Sequence, residues 1–375
     1  MANILVLGGG FGGVAVAESL ARQVSKPHQV TLISRNPSFV FYPDLVRLAF
    51  GKCEPDDISF DLRDAMLERG VGFLQGEVAR INPEEQQVTI AHGELQGQVS
   101  YDYLILALGR RLATEQVTGF FEHAGHLLDV KAALELGETI QTFKGGRAVI
   151  GQCPGARLPV PVYEMAFAFS RFVKARALND ISHITIVSPD SPKLPFGDLN
   201  VAVALRGALE THDIEYGPDF QIKRVTSTAV ITDSGDLLDY KLLMLVPPFR
   251  GPGAVSNLGI TNEDGYIEVD ASMRVRGIEK VYAVGDCVNF PGPKLGHMAV
   301  HQAEIAANNL ASELRGEVPS AKYDHEMMLI IDEGGEDTIY LHKGIWLDEK
   351  AQVRQGRFWA WAKRIHERYW LARHA

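Results

Sequence analysis

The chain has 375 residues, enough for two or three domains with sizeable cores, and its 46% hydrophobic and 22% charged residues are ordinary for a soluble globular protein. The longest apolar runs are far shorter than the about 20 residues that cross a bilayer, three cysteines do not make a disulfide scaffold, and the start lacks the features of a signal peptide. These observations predict a cytoplasmic protein, and the formal net charge of −10 argues against nucleic acid as a partner.

The first predicted elements are a strand over residues 1–7 and an amphipathic helix over 14–22, joined by Gly8, Gly9, Gly10, Phe11, Gly12 and Gly13. A strand, glycine turn and helix in this order are typical of a dinucleotide-binding βαβ unit. Gly8 permits the tight turn, Gly10 lets the backbone approach a pyrophosphate, and Gly13 lets helix and strand pack closely. The helix N-terminus offers free N–H groups to the phosphates. We therefore expect a bound dinucleotide, which the flanking elements favour over a merely flexible turn.

The second predicted strand, residues 29–33, ends where an acidic residue usually holds the ribose hydroxyls of the dinucleotide. The chain has Ser34, Arg35 and Asn36 at this point, and the side chains of Ser34 and Asn36 can still hydrogen-bond a ribose. An aromatic segment that ends in proline follows at residues 39–43. It fits either a hydrophobic loop or a wall of a cofactor or quinone site.

A second βαβ unit is predicted after an apolar run over 101–108, which has the pattern of a buried parallel strand and ends at Gly109. The elements of this unit are a strand over 147–150, a turn over 151–156, a helix over 162–174 and a strand over 183–187. Cys153 takes the second glycine position of the turn, where a side chain would block a pyrophosphate, and Ser188 stands where an acid would select NAD. We expect a Rossmann-like unit that has lost its dinucleotide.

From residue 264 the sequence returns to the first domain, with predicted strands over 265–270 and 281–284 and a long predicted helix over 296–315. The predicted fold class is α/β, with two Rossmann-like dinucleotide-binding domains and a C-terminal segment. The first domain is predicted to take residues 1–112 and 264–322, the inserted second domain residues 113–263, and the C-terminal segment residues 323–375.

The C-terminal segment ends in a basic and aromatic stretch. Residues 351–375 carry six Lys or Arg and one acid, interleaved with Phe358, Trp359, Trp361, Ile365, Tyr369 and Trp370. A basic helix with Trp and Tyr is typical of a segment that lies in the membrane interface. The alternative is a C-terminal helix docked on the core or on a second subunit. We predict peripheral contact with an anionic membrane surface.

Three motifs, at residues 8–13, 103–109 and 282–286, occur in this order and together resemble the two-dinucleotide-domain flavoproteins of the glutathione reductase type. The resemblance implies that the first turn binds FAD and that Asp286 holds the ribityl chain of the flavin. The helix after Lys294 is expected to point its N-terminus at the pyrimidine edge of the flavin. Lys294 is interpreted as a group that stabilises the reduced flavin, with a solvated lysine as the alternative. The FAD-binding residues predicted in this way are Gly8, Gly10, Phe11, Gly12, Gly13, Ser34, Arg35, Asn36, Ala107, Gly109, Gly285, Asp286 and Lys294. No pair of cysteines spaced by four residues follows the first helix, which excludes a disulfide reductase.

Within that family the chain is most similar to sulfide:quinone oxidoreductases, with type II NADH dehydrogenases next. The segments that carry the likeness are 39–43, 153–156 with Tyr163 and Glu164, 186–189, 296–298 and 361–371. This resemblance implies that two electrons pass from sulfide or a small thiol through FAD to a membrane quinone. It also implies a peripheral protein at the inner face of the cell membrane, with the oligomeric state, homodimer included, left open.

The resemblance also indicates a catalytic cysteine. Cys153 matches the family's first cysteine, which carries a persulfide and acts as a thiolate nucleophile. The second cysteine of such a relay is expected within residues 328–334, where none occurs. Cys287 is interpreted as a small packing residue, and Cys53 has no matching role.

Two further residues are predicted to be catalytic. Glu164 is interpreted as a proton carrier in the same cavity as Tyr163, and His297 as a proton-transfer group beside the flavin, with a hydrogen bond at the helix start as the alternative for His297. His297 and His301 have a spacing that can chelate a metal, but a third ligand is not evident, and we expect no metal.

Two other functions stay open. One is an NADH:quinone oxidoreductase, which Cys153 in the glycine position and Ser188 at the strand end disfavour. The other is a non-catalytic or redox-sensing flavoprotein whose tail docks on a partner. The missing second cysteine supports this last function, whereas the aromatic segment and the tail oppose it.

Overall fold

The structure is a computed structural model that describes residues 1–24, 26–190, 196, 198–334, 338–344 and 350–375. Its strands are β1 (Asn3–Leu7), β2 (Gln29–Ser34), β3 (Ser38–Val40), β4 (Ser59–Asp61), β5 (Gly72–Asn82), β6 (Gln87–Gly93), β7 (Gly97–Ser100), β8 (Tyr103–Leu106), β9 (Arg111–Leu112), β10 (Gly146–Gln152), β11 (Ser182–Val187), β12 (Ile214–Gly217), β13 (Ile222–Val225), β14 (Ala229–Thr232), β15 (Leu237–Asp239), β16 (Leu242–Val246), β17 (Phe249–Arg250), β18 (Val281–Ala283), β19 (Glu326–Ile331), β20 (Ile339–Gly344) and β21 (Gln352–Gln355). Its helices are α1 (Phe11–Gln23), α2 (Leu45–Ala49), α3 (Leu62–Glu68), α4 (Phe120–His123), α5 (Val130–Thr142), α6 (Val160–Ala175), α7 (Leu199–Thr211), α8 (Gly296–Leu314) and α9 (Arg357–His374).

The first sheet has the strand order β18-β8-β1-β2-β5-β6-β7. Its strands from β18 to β5 are parallel, and β6 and β7 extend it as an antiparallel meander. The central strands β1 and β8 are apolar and buried except at their first residues, as is usual in a parallel sheet whose two faces are both covered. Helices α1 and α8 pack against each other beside this sheet. The late strand β18 therefore completes a sheet that the first hundred residues begin.

The second sheet has the order β12-β11-β10-β16, with all neighbours parallel. Helix α6 connects β10 to β11 and helix α7 connects β11 to β12, which is the Rossmann-like repeat predicted from the sequence. The predicted strand over 265–270 is wrong: Ile267 and Val269 form only isolated bridges to neighbouring loops. The domain limits at residues 112, 263 and 322 stay a prediction.

The C-terminal segment consists of an antiparallel sheet, β19-β20-β21, followed by helix α9. Helix α9 docks on the rest of the protein with one face, as the alternative interpretation of the tail requires. Trp370 is buried there, and Glu367 accepts a hydrogen bond of 2.9 Å from Arg47. None of the helices in the described ranges has the length and apolarity needed to cross a membrane.

Asp44 lies beneath the docked helix and is almost completely buried. One of its oxygens lies 3.3 Å from the Arg47 guanidinium. Burial and the neighbouring Glu367 carboxylate nevertheless raise the pKa of Asp44 to about 8. The carboxyl group of Asp44 is therefore protonated at neutral pH in the folded protein and charged in the unfolded chain.

This difference predicts how stability depends on pH. Between pH 4 and pH 8 folding must return a proton to Asp44, so the free energy of unfolding falls as the pH rises through this window. The neutral variant Asp44→Asn lacks that proton uptake. We expect wild type to lose at least about 1 kcal/mol more than Asp44→Asn between pH 5 and pH 8 in denaturant titrations.

The exposed Asp324→Asn is the matched control and should follow wild type. Parallel pH profiles of wild type and Asp44→Asn would contradict the prediction.

Candidate active site

The glycine turn between β1 and α1 leaves no room for side chains at two of its positions. An ideal Cβ at Gly13 would lie 1.7 Å from the carbonyl oxygen of Gly8, and one at Gly8 would lie 2.1 Å from the carbonyl oxygen of Ala107. A Cβ at Gly10 would meet no atom within 4 Å, and no side chain caps the N-terminus of α1. The turn is therefore tightly packed at Gly8 and Gly13, where it faces the sheet, and open at Gly10. This shape fits a pyrophosphate bound to the N–H groups at the start of α1.

The end of β2 borders this turn through Ser34. The Ser34 side chain is buried, its hydroxyl donates a hydrogen bond of 2.8 Å to the carbonyl oxygen of Asn36, and a Cβ at Gly9 would lie 2.7 Å from that hydroxyl. Arg35 extends outwards, with its guanidinium 3.9 Å from Glu77. Ser34 thus lies at the predicted ribose position, and the contacts of all three residues with a ribose stay predictions.

The motif at residues 282–286 contacts the glycine turn from the other side. The ideal Cβ of Gly12 would lie 3.1 Å from Val284, and the N–H of Gly285 donates a hydrogen bond of 2.7 Å to Gln302 on α8. The Asp286 carboxylate accepts a hydrogen bond from Arg110, which the sequence analysis missed. A basic residue directly after the strand-ending Gly109 was the available signal. Asp286 is thereby held at the same cleft as the glycine turn.

Lys294 is a buried cation in this cleft, so the solvated alternative is wrong. Its ammonium group donates a hydrogen bond to the carbonyl oxygen of Val288 and lies 4.3 Å from the centre of the Tyr266 ring. Burial, and next the nearby charge of Arg157, lower the pKa of Lys294 to about 7. The group can therefore take up or release a proton near neutral pH.

Arg157 is a second residue that the sequence analysis missed. Its guanidinium donates hydrogen bonds to the carbonyl oxygens of Phe290 and Gly292. The carbonyl oxygen of Arg157 accepts a bond of 2.8 Å from the N–H of Lys294. These bonds join the loop after β10 to the loop before α8. Among the described residues no carboxylate lies close enough to Arg157 to form an ion pair, and Asp286 acts on its charge only from a longer distance.

A cavity of about 540 Å³ opens where β10, β11 and β12 end. It is lined by Gln152, Ala156, Arg157, Pro159, Tyr163, Ser188, Asp190, Phe196, Tyr216, Gly292, Pro293, Met327 and Lys343. The Gln152 amide donates hydrogen bonds of 3.2 Å to the Ser188 hydroxyl and to Asp190. A crevice at the carboxyl ends of parallel strands is the usual ligand position in such sheets. Pro293 also borders the small space next to Asp286 and Lys294, so the cavity adjoins the cofactor cleft.

Cys153 does not line this cavity. Its side chain is completely buried in an apolar cluster that includes Val149, Val187 and Leu245. Burial raises the pKa of the Cys153 thiol well above its ordinary value, whereas a nucleophilic cysteine must ionise. A catalytic role for Cys153 therefore requires a movement of the loop over 151–156 that exposes the sulfur.

The other two cysteines also have raised pKa values. Cys287 is buried and its thiol contacts the carbonyl oxygens of Leu106 and Val284, as befits a packing residue. Burial raises the pKa of Cys287 to about 12. Burial raises the pKa of Cys53, which is only partly buried, to about 11.

Glu164 lies apart from the cavity, although its neighbour Tyr163 lines it. The Glu164 carboxylate accepts hydrogen bonds from the Lys363 ammonium group on α9 and from the N–H of Asp332, the latter of 2.8 Å. Burial raises the pKa of Glu164 and Lys363 opposes this effect. The observed contacts make Glu164 an anchor for the C-terminal segment, and a proton-carrier role stays a prediction.

His297 makes the kind of hydrogen bond that the alternative interpretation named. At the start of α8, its Nε2 atom accepts a bond of 3.2 Å from the N–H of Met328. Desolvation lowers the pKa of His297 to about 4, so the ring is neutral at pH 7. His301 instead packs edge-on against Tyr323. In the described part of the chain no group of three or more potential metal ligands converges on a site.

The open space in front of Gly10 makes the cofactor assignment testable. In Gly10→Ala the new methyl group meets no protein atom but occupies the predicted pyrophosphate position. We expect a protein with an unchanged far-UV circular dichroism spectrum that retains less than a tenth of the wild-type FAD on purification.

Gly207→Ala on α7 is the matched control, because its Cβ also enters open space. It should keep full FAD content. A Gly10→Ala protein that purifies with wild-type FAD content would contradict the assignment of the turn.

A family model described as pyridine nucleotide-disulphide oxidoreductase matches residues 2–303. The sulfide-quinone reductase of Aquifex aeolicus is 25% identical to this chain, over 98% of the chain and 90% of the relative. The type II NADH:quinone oxidoreductase of Haemophilus influenzae is 23% identical, over 88% of the chain and 85% of the relative.

The X-ray structure of the sulfide:quinone oxidoreductase from Aquifex aeolicus superposes on this chain with a TM-score of 0.89 at 24% sequence identity, covering 99% of this chain and 91% of that one. This agreement confirms the predicted α/β class with two Rossmann-like domains. The family model covers well over half of the chain, and the tight, forward-open glycine turn has the shape that a dinucleotide requires. The chain therefore belongs to the pyridine nucleotide-disulphide oxidoreductase family and is an FAD-dependent oxidoreductase.

Proposed function

We propose that this protein transfers two electrons from sulfide or a small thiol through FAD to a quinone. The observation that carries the proposal is the positive charge of Arg157, which lines the 540 Å³ cavity next to the loop that holds Lys294 and forms no ion pair with any described residue. Sulfide and thiols react as anions, and a cationic wall beside the cofactor cleft attracts and holds an anion. The Tyr163 and Tyr216 side chains supply further polar lining.

The reaction balances without a cysteine relay. Two hydrosulfide ions that join as HS–S⁻ release two electrons and one proton, and a quinone that becomes a quinol takes up two electrons and two protons. FAD supplies the two-electron acceptor between these half-reactions. In this scheme Arg157 holds the anion and Lys294 holds a proton or a positive charge at the buried edge of the cleft, as its lowered pKa allows. The scheme is compatible with the buried Cys153 and with the absence of a cysteine in 328–334.

The quinone half of the proposal is supported by the outer face of α9. Its large apolar side chains Phe358, Trp361, Ile365 and Tyr369 lie on one helical stripe and are 45–60% exposed. The exposed residues Arg364 and Arg368 flank this stripe. An exposed aromatic and basic face on a helix fits the headgroup region of a membrane, where a lipid-soluble quinone is found.

NADH is a second candidate donor, and two observations favour it. The Cys153 side chain points into the core rather than into the turn, so it does not occupy the position from which it was expected to block a pyrophosphate. Asp190 lies just beyond the end of β11, near the position of the acid that holds a ribose in NAD-binding units. Its carboxylate is already engaged by Gln152.

Anaerobic reduction of the bound flavin distinguishes the donors. We expect sulfide to bleach the flavin absorbance and NADH to leave it unchanged. Arg157→Ala should raise the sulfide concentration needed for half-maximal reduction at least tenfold, because an anion loses its partner charge. Arg157→Lys keeps the positive charge and should bring this sulfide concentration back towards the wild-type value. The control is Arg111→Ala, an exposed substitution that should leave the sulfide concentration unchanged.

The rate of flavin reduction by sulfide in Cys153→Ala shows whether the reaction needs this cysteine. The cysteine-independent scheme predicts a reduction rate within twofold of wild type, whereas loss of reduction would establish the persulfide relay on Cys153. Bleaching by NADH and not by sulfide would replace the proposed donor.

Binding to liposomes tests the outer face of α9. In Trp361→Ala/Tyr369→Ala two exposed aromatic anchors are lost, and we expect at least tenfold weaker co-sedimentation with liposomes that contain anionic lipid. Reduction of a short-chain, water-soluble quinone should stay unchanged, while reduction of a long-chain quinone in liposomes should fall.

Leu199→Ala/Val203→Ala is the control, since both side chains are exposed apolar residues on α7. Equal liposome binding by the α9 variant and wild type would remove the membrane from the proposal.

A further inference from the structure

Helix α9 contacts the glycine turn directly through Trp370. This side chain is only 6% exposed, and its ring centre lies 5.1 Å from that of Phe11 and 6.1 Å from that of Phe39. Phe11 is the first residue of α1 and belongs to the dinucleotide turn. On its other side the Phe11 ring lies 3.1 Å from the ideal Cβ position of Gly296, where α8 begins. Trp370 therefore closes the aromatic cage that holds Phe11 in place.

The same two helices meet again two turns further along α1. The buried Glu18 carboxylate lies 2.9 Å from His374 on α9 and 3.1 Å from the Arg69 guanidinium, which also donates a bond of 2.6 Å to the carbonyl oxygen of Arg373. Phe11 and Glu18 are seven residues apart and share one face of α1, and Trp370 and His374 share one face of α9. The contact between α9 and α1 is thus continuous rather than a single ring pair.

Two charged anchors fix the earlier part of α9 to other elements. The Glu367 carboxylate pairs with Arg47 on α2, and Lys363 pairs with Glu164 on α6. All of these groups are buried or mostly buried, and buried charges that lose their partners are strongly destabilising. Helix α9 therefore packs across the start of α1 and is fixed by contacts with α1, α2 and α6.

We propose that Trp370 is a positioning residue for FAD, and that docking of α9 and binding of FAD are thermodynamically coupled through Phe11. The backbone of Phe11 forms the first turn of the helix whose N–H groups face the pyrophosphate position. When α9 is docked, this backbone is fixed in the binding-competent arrangement, and apparent affinity rises with the fraction of molecules in that arrangement. By linkage, FAD must in turn stabilise the docked helix.

The test measures release of FAD from the holoprotein after dilution, followed by the rise of free-flavin fluorescence. Trp370→Ala should release FAD at least tenfold faster than wild type, and Trp370→Phe should restore most of the retention because a ring still packs on Phe11. Glu367→Gln weakens a distant anchor of α9 without touching Phe11, and it should also speed release. Trp361→Ala, on the exposed face of the same helix, should leave the rate unchanged.

A general loss of stability is separated from positioning by Leu209→Ala, a buried substitution on α7 of the second sheet. This variant should unfold more easily and still retain FAD as wild type does. A Trp370→Ala rate within twofold of wild type, or equal acceleration by Leu209→Ala, would overturn the proposal.

Hydrogen exchange on the wild-type protein tests the coupling between α9 docking and FAD binding without any variant. It therefore applies even if Trp370→Ala fails to fold. Amides of α9 should exchange at least several-fold more slowly in the FAD-loaded protein than after removal of FAD, and equal protection would overturn the coupling.

Discussion

The missing side chain at Gly13 is the constraint on which the rest of the molecule depends. Because the start of α1 approaches the Gly8 carbonyl oxygen to a distance that no Cβ permits, α1 crosses directly over the end of β1. Gly8 in turn lies against the Ala107 carbonyl oxygen at the end of β8, and β18 pairs beside β8. This close packing brings the late Asp286 motif to the glycine turn, although more than 270 residues separate them in the chain. A side chain at Gly13 would separate the parts of the FAD cleft from one another.

Much of the fold could be predicted from the sequence because its signals are local. The first strand, the glycine turn and α1 are encoded in consecutive residues, and the second unit repeats the same pattern with the right spacing. The stretch over 265–270 alternates like a strand, but its neighbours are loops, so only isolated bridges form around Ile267. Alternation reports which side chains are buried and does not report whether a partner strand exists.

The site was less predictable, because its decisive contacts join residues that are far apart in sequence. Glu164 and Lys363 are 199 positions apart, and nothing near either residue indicates that they form a buried pair. The direction of the Cys153 side chain depends on how the loop after β10 packs on β11 and β16, which a motif alignment does not contain. Arg110 and Arg157 look like ordinary surface residues until the fold brings them to Asp286 and to the loop before α8.

The two faces of α9 carry a further consequence for the whole molecule. The inner face is tied by charged and aromatic contacts to α1, α2 and α6, so the docked helix moves together with the rest of the protein. The outer stripe from Phe358 to Tyr369 runs along the same rigid axis. Any surface that binds the stripe must therefore fix the orientation of the entire protein, with the helix axis lying along that surface and the glycine turn just behind it. A molecule dissolved in that surface then has to diffuse in only two dimensions to reach the protein, and the cofactor cleft lies at a constant distance from the plane in which it diffuses.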